Sequence, residues 1–204
     1  MNKNVIIIGA SGHGKVIADI IIKSGDILVG FLDDNKTAKV WTYPNLGVVS
    51  DYVKFAADYE FIVAIGNNST RLQVMDMLIT VQCRLYNAIH PSANIGYGVE
   101  LGNGIVLMAN AVVNPDAKIA DGVIINTNAS IDHDCKIGKC AHISVNSAIA
   151  GGCKIGNEVF VGAGATIKNN INISDKITIG AGATVVNDLC DAGTYIGTPA
   201  KKMV

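Results

Sequence analysis

The sequence is poor in the features that mark several common protein classes. Aromatic residues make up only 5% of its 204 residues, so a core must be built from aliphatic and small side chains. Charged residues are 16%, with 16 Lys+Arg against 17 Asp+Glu and a net charge of −1. Without a basic excess, no nucleic-acid partner is expected. Half of the residues are hydrophobic, which excludes intrinsic disorder. Apolar runs such as Val5–Ile8 and Ile20–Ile22 fall far short of the roughly 20 residues that span a bilayer. Met1–Asn4 leads straight into the first of them, with no signal-peptide h-region. The cysteines, Cys83, Cys135, Cys140, Cys153 and Cys190, include no CxxC pair. Reduced thiols in a cytoplasmic protein, with no membrane partner and no metal, are the expectation.

Proline is scarce at four residues while glycine reaches 22, which suggests tight turns with regular structure between them. The second half supplies the period. From Ile89, Ile95, Leu101, Leu107, Val113 and Ile119 onward to Val185, every sixth residue is aliphatic without a break. The position four later is small or apolar, as at Ala93, Ala111, Ala129, Cys135 and Cys153. The position three later is mostly Gly, Asn or Asp, residue types that tolerate the positive φ of a sharp corner. One inward aliphatic, one inward small residue and one corner per six residues describe a solenoid of short parallel strands. Three hexapeptides make a triangular coil, and about five to six coils stack at ~4.8 Å into a prism some 25 Å tall. No long loop interrupts it. Cys135 and Cys153 stack one coil apart at the inward small position, as core fillers and not as nucleophiles.

The first half alternates strand and helix. Val5–Ile8 reads as a buried parallel strand, followed by Gly9-Ala10-Ser11-Gly12-His13-Gly14. Residues 15–23 then show helical spacing at Val16, Ile17, Ile20 and Ile21. Strands at 27–32 and 61–65 end in Asp33-Asp34 and Gly66-Asn67-Asn68, and Ser69 is placed to cap a helix carrying Leu72, Met75 and Leu78. This alternation gives a small parallel α/β sheet with ligand groups at the carboxyl ends of its strands. Glycines between strand and helix let backbone N–H groups face a phosphate, and Asp33 can accept hydrogen bonds from a ribose or base. NAD is one reading. With about 88 residues, near half of a full dinucleotide fold, a mononucleotide fits better.

The hexapeptide region resembles the left-handed β-helix acyltransferases, and that resemblance supplies the hand of the prism, a trimeric assembly and an acetyl-CoA groove between neighbouring prisms. Gly9-Ala10-Ser11-Gly12-His13-Gly14-Lys15, Phe31-Leu32-Asp33-Asp34, Ala64-Ile65-Gly66-Asn67-Asn68 and Ile89-His90-Pro91-Ser92-Ala93 narrow it further. They resemble the sialic acid O-acetyltransferase and nucleotide-amino-sugar N-acetyltransferase family. The resemblance implies a small Rossmann-like α/β domain over 1–88 that holds a UDP-type sugar through Gly9, Ser11, Gly12, His13, Gly14, Asp33, Asp34, Gly66, Asn67 and Asn68. An all-β left-handed parallel β-helix over 89–204 then holds acetyl-CoA.

His133 lies two residues after the inward Ile131, at an outward corner flanked by Asp132 and Asp134. Attack of an amine or alcohol on a thioester needs a base with a pKa near 7, and histidine is the default candidate. By resemblance, Asn126, His133, Asp134 and His142 match the family's Asn…His-acidic…His spacing. His133 is then the base, Asp134 its orienter and His142 an auxiliary on the thioester carbonyl or the sugar. Whether Asp134 meets His133 within or between subunits stays open. The same resemblance implies that Gly151, one coil above His133, leaves room for pantetheine and offers an N–H to the carbonyl oxygen. Lys201 and Lys202, in a tail resembling the Gly-x-Pro-Ala-Lys ending of such enzymes, are placed to meet CoA phosphates. His90, His133 and His142 form no zinc triad. The expected activity is acetyl transfer from acetyl-CoA to the amino group of a nucleotide-linked amino sugar, by direct attack in a homotrimer. The alternatives are O-acetylation of sialic acid or another sugar hydroxyl, and a non-catalytic nucleotide-sugar-binding scaffold.

Overall fold

Four consecutive β-branched residues, Val5 to Ile8, cannot select one face of a sheet, and a parallel strand covered on both sides accommodates them. In the computed structural model, which describes residues 2–203, all four are fully buried. They lie in β1 (Asn4–Ile8), the centre of a five-stranded sheet completed by β2 (Ile27–Leu32), β3 (Asn45–Gly47), β4 (Glu60–Val63) and β5 (Arg84–Leu85). The strands are all parallel, in the order β3-β2-β1-β4-β5. The order reverses beside β1, so a crevice opens between the carboxyl ends of β1 and β4. The turns Gly9–Ser11 and Ala64–Asn67 both leave from there.

Helices α1 (Gly12–Lys23) and α2 (Asn68–Thr80) follow those turns. Both begin earlier than the sequence suggests. Gly12, His13 and Gly14 belong to the first turn of α1, not to a loop before it. The cap of α2 is Asn67, whose side chain accepts from the Thr70 amide at 2.9 Å, and not Ser69. Strand β4 ends at Val63, two residues short of expectation. Strand β3 and a short 3₁₀ segment at Val49–Lys54 carry no periodic signal and escape a pattern-based reading. Gly14 must be glycine because a Cβ there would stand 2.5 Å from the Gly9 carbonyl oxygen, so helix and strand can close only without it.

Beyond Tyr86 the chain winds into the three-sided prism. Its strands form a five-stranded sheet starting at Glu100–Leu101, a six-stranded sheet starting at Asn94–Ile95 and an eight-stranded sheet starting at Ala88–Ile89. Neighbouring coils pair in parallel at eighteen-residue register, as in Ile119↔Ile137↔Ile155. The inward aliphatics and the small residues four positions later make one continuous core, in which Cys135 and Cys153 are fully buried. Ile95 departs from the pattern at 40% exposure, because its strand ends the six-stranded sheet and no coil lies beyond it. Among the described strands of the prism, only the tail strand Lys201–Lys202 runs antiparallel.

The α/β unit rests on the eight-stranded face. Ile17, Ile20 and Ile21 of α1 pack with Val106, Met108 and Ile124, while Met75 and Leu78 of α2 pack with Cys140. Among the described residues, no helix is long and apolar enough to cross a membrane.

Candidate active site

Packing the α/β unit on that face buries two imidazoles at the seam. His13, in the first turn of α1, and His142, on the eight-stranded face, have ring centroids 6.3 Å apart. Phe160, one coil beyond His142, meets the His142 ring edge-on at 5.2 Å. Desolvation, and secondarily the neighbouring charges, lowers both pKa values to about 4, so both rings are neutral at physiological pH.

The tautomer of His142 follows from its partner. The Asn126 amide oxygen accepts from the Thr127 N–H at 2.8 Å, which turns the amide nitrogen toward His142 Nε2 at 3.2 Å. Nε2 therefore accepts, and the proton sits on Nδ1. No hydrogen bond of normal geometry reaches that Nδ1 or His13 Nε2, although the Gly66 carbonyl lies close enough to His142 to pull its pKa upward against the burial. The seam thus presents two unpaired imidazole nitrogens, one of them a donor. Beside them, Gly66, Asn67 and Asn68 line a cleft of about 390 Å³ whose opposite wall is Glu158, Phe160, Lys176 and Thr178.

His133 occupies a second location. It stands on the turn from the six-stranded to the five-stranded sheet, while His142 begins a strand of the eight-stranded sheet. Its side chain is 61% exposed. Asp134, left-handed at φ 59°, places Oδ2 2.7 Å from Nδ1 within the same chain. Asp132 is held in turn by the Asn114 side chain and the His133 amide. The Asp134 hydrogen bond, then the Asp132 charge, hold the His133 pKa above its ordinary 6.5. With Nδ1–H committed to Asp134, Nε2 carries the free lone pair.

Gly151 lies one coil above, where a Cβ would stand 2.7 Å from His133 Nε2. The space its missing side chain leaves is taken by the imidazole itself, not left open for another group. Its N–H lies where it stabilises the Asp132 carboxylate.

The remaining expected residues divide. Asp33 and Asp34 sit at the carboxyl end of β2 but hold their own loops: Asp33 accepts from the Ala10 and Asn35 amides, and Asp34 from the Val49 amide. Lys201 and Lys202 are exposed beside Tyr195 and Ile196 at the far edge of the eight-stranded sheet. A larger concavity, about 740 Å³, is none of these places. It is a groove along the five-stranded face between Lys118, Lys136 and Lys154 and the small residues Gly102, Ala120, Gly138 and Gly156. Phe160 and the fully buried Arg71 border the seam and were not anticipated. The spacing of Arg71 three residues after Asn68, on one face of α2, was the only sequence signal available for it.

Comparison with known proteins follows the same division. Residues 4–78 match the PglD N-terminal domain and residues 134–169 the bacterial transferase hexapeptide (six repeats). The acetyltransferase domain of PglB from Neisseria gonorrhoeae is 35% identical, covering 99% of this chain and 100% of that one, with a TM-score of 0.95. The chain belongs to the PglD-type hexapeptide acyltransferase family. Other members share its architecture. PerB from Caulobacter crescentus, solved with CoA and GDP-perosamine, is 35% identical over 98% of this chain and 97% of that one, with a TM-score of 0.94. UDP-N-acetylbacillosamine N-acetyltransferase of Bacillus subtilis is 38% identical over 112 residues, 52% of this chain and 52% of that protein. The match thus spans about half the length of that curated relative. The PglD-type assignment carries with it the left-handed prism.

Proposed function

We propose that this PglD-type protein transfers acetyl from acetyl-CoA to the amino group of a UDP-linked amino sugar, as a cytoplasmic homotrimer. The observation that carries the reading is the His133 corner: an exposed imidazole with Nδ1–H fixed by Asp134 and a bare Nε2, on a chain matched end to end by a solved acetyltransferase domain. The amine nitrogen attacks the thioester carbonyl and gives a proton to His133 Nε2. The tetrahedral intermediate collapses, the C–S bond breaks, and the departing CoA sulfur takes that proton back. His142 Nδ1–H, unpaired at the seam, donates to the acetyl carbonyl or to the sugar. Gly9, Ser11, Gly12, His13, Gly14, Asp33, Asp34, Gly66, Asn67, Asn68 and Asn126 hold the nucleotide sugar, and Lys201 and Lys202 meet CoA, while Gly151 seats the His133 ring.

His133 and His142 stand on different sides of the prism in one chain, and an intersubunit site brings a His133 from one copy to the seam of another. A relative solved with CoA and GDP-perosamine, and another named UDP-N-acetylbacillosamine N-acetyltransferase, favour nitrogen over oxygen as the acceptor. The test is CoA release with UDP- and GDP-linked 4-amino sugars against sialic acids. Release with the amino sugars alone is expected. Release with sialic acid alone would convert the reading to O-acetylation, and nucleotide-sugar binding without any release would convert it to a scaffold.

The pH dependence follows from the corner. A base works only when neutral, so kcat/KM rises as pH climbs through the elevated pKa of His133. Asp134→Asn removes the larger cause of that elevation. The acidic limb of the profile is expected to move to lower pH, while the plateau drops because the ring loses its anchor. A limb that stays in place would show that another group titrates.

A further inference from the structure

Arg71 is the largest fully buried side chain among the described residues, and each of its hydrogen-bond partners there is a neutral oxygen, with the Glu158 carboxylate acting on it only through its charge. Nε donates to the Gly122 carbonyl at 2.8 Å, Nη1 to those of Ile65 at 2.9 Å and Gly66 at 3.2 Å, and Nη2 to Asn68 Oδ1 at 2.9 Å and the Cys140 carbonyl at 2.6 Å. One guanidinium thereby ties the turn after β4 to two successive coils of the prism. Both prism acceptors are corners. Gly122, Cys140 and Glu158 stack in one column with φ of 68°, 51° and 56°. Cys140 and Glu158 lack the residue types that accept this conformation readily.

These are the same corners that the first turn of α2 grips. Asn68 Nδ2 donates to the Glu158 carbonyl at 2.9 Å, and the Ser69 hydroxyl bonds the Glu158 carboxylate at 2.5 Å. The Cys140 carbonyl lies two residues before His142, and Gly66, whose backbone carbonyl acts on the His142 ring, lines the cleft beside it. A planar fork with fixed donor directions can hold several carbonyls in one register, which a lysine ammonium cannot. Burying such a charge without an anion is costly unless all its donors are engaged, so its presence implies a demand on geometry.

We infer that Arg71 is the positioning residue of the seam: it locks the Gly66–Asn68 turn to the Cys140–Ala141 corner and so fixes where His142 points. Its charge also stands behind both imidazoles and adds to the burial that keeps them neutral. The kinetic part of the test rests on the function proposed above, and the spectroscopic part does not.

Arg71→Lys, which keeps the charge and loses the fork, is compared with the unaltered full chain well below its melting midpoint. The expected result is a fall of about 10²-fold in kcat/KM for the amino sugar, because a displacement near 1 Å has that cost. The acetyl-CoA dissociation constant stays within about twofold. The His142 imidazole, followed by NMR, titrates upward from about 4 as the ring loses its fixed burial. Asn68→Ala, which removes one acceptor of the fork and the bond to Glu158, moves the same readouts in the same direction by about tenfold in kcat/KM, and it decides the matter if the lysine variant does not fold. Unchanged kinetics with an unchanged His142 titration in either variant overturns the inference. So does a lowered melting temperature with both readouts intact, which marks a purely structural residue. If the unaltered protein acetylates no amino sugar, the proposed function falls, and the His142 titration still decides the role of Arg71.

Discussion

Replacing His133 with alanine lowers kcat for acetyl transfer by about 10²- to 10⁴-fold, the usual contribution of a positioned base. Acetyl-CoA binding stays within about twofold. The split follows from the position of the side chain. It is 61% exposed and contributes nothing to the prism core, so its loss leaves the coil stack and its surfaces intact. The Nε2 lone pair, made available by the Asp134 bond at 2.7 Å, is what disappears. Steady-state kinetics and a calorimetric titration with acetyl-CoA check both halves, and undiminished turnover would remove His133 from the base role. A simultaneous collapse of acetyl-CoA affinity would assign it to binding instead.

Ile137→Ala lowers the free energy of unfolding by about 2–5 kcal/mol, the range for removing a large aliphatic side chain from a packed core. Ile137 is 2% exposed and packs between Ile119 and Ile155 on the coils below and above. Each coil contacts only its neighbours, so the cavity sits in the one direction from which the prism draws cohesion. It cannot collapse sideways without moving the Ile131 and Ile143 strands of the same turn. Urea unfolding followed by far-UV circular dichroism measures the change. A loss under about 1 kcal/mol would mean that the coils relax individually, contrary to close packing at the eighteen-residue register.

The prism was legible because its period is short and strict. An aliphatic residue every six positions and a Gly, Asn or Asp three later state both the inward side and the corner, and Asn110, Asp116, Asn128 and Asp134 all take the left-handed conformation that this implies. Cys140, Glu158 and Lys176 take it as well, with nothing in their chemistry to announce it; the coil geometry imposes the corner on them. The His133–Asp134 contact was half legible, since the two are adjacent in sequence but the chain that would supply the carboxylate was not fixed. The pairing of His13 with His142 was not legible at all. It arises from the packing of α1 and α2 on the eight-stranded face, a meeting of segments distant in sequence that no local pattern encodes. The same holds for Arg71, whose spacing from Asn68 places the two on one face of α2 but does not say that the arginine is completely enclosed. The early starts of α1 and α2 were missed because glycine and asparagine in a first turn look like loop residues.

The eighteen-residue pairing of one coil with the next also governs how such a chain can change in length. Loss or gain of a single hexapeptide would carry every later residue a third of the way around the prism, moving Gly151 off the column of His133 and the tail onto a different face. Only a whole coil can be added or removed without that rotation. Divergence within the stretch from Asn126 to Gly151 is therefore confined to exchange of one amino acid for another, and relatives should agree in the number of residues there even where little else is shared.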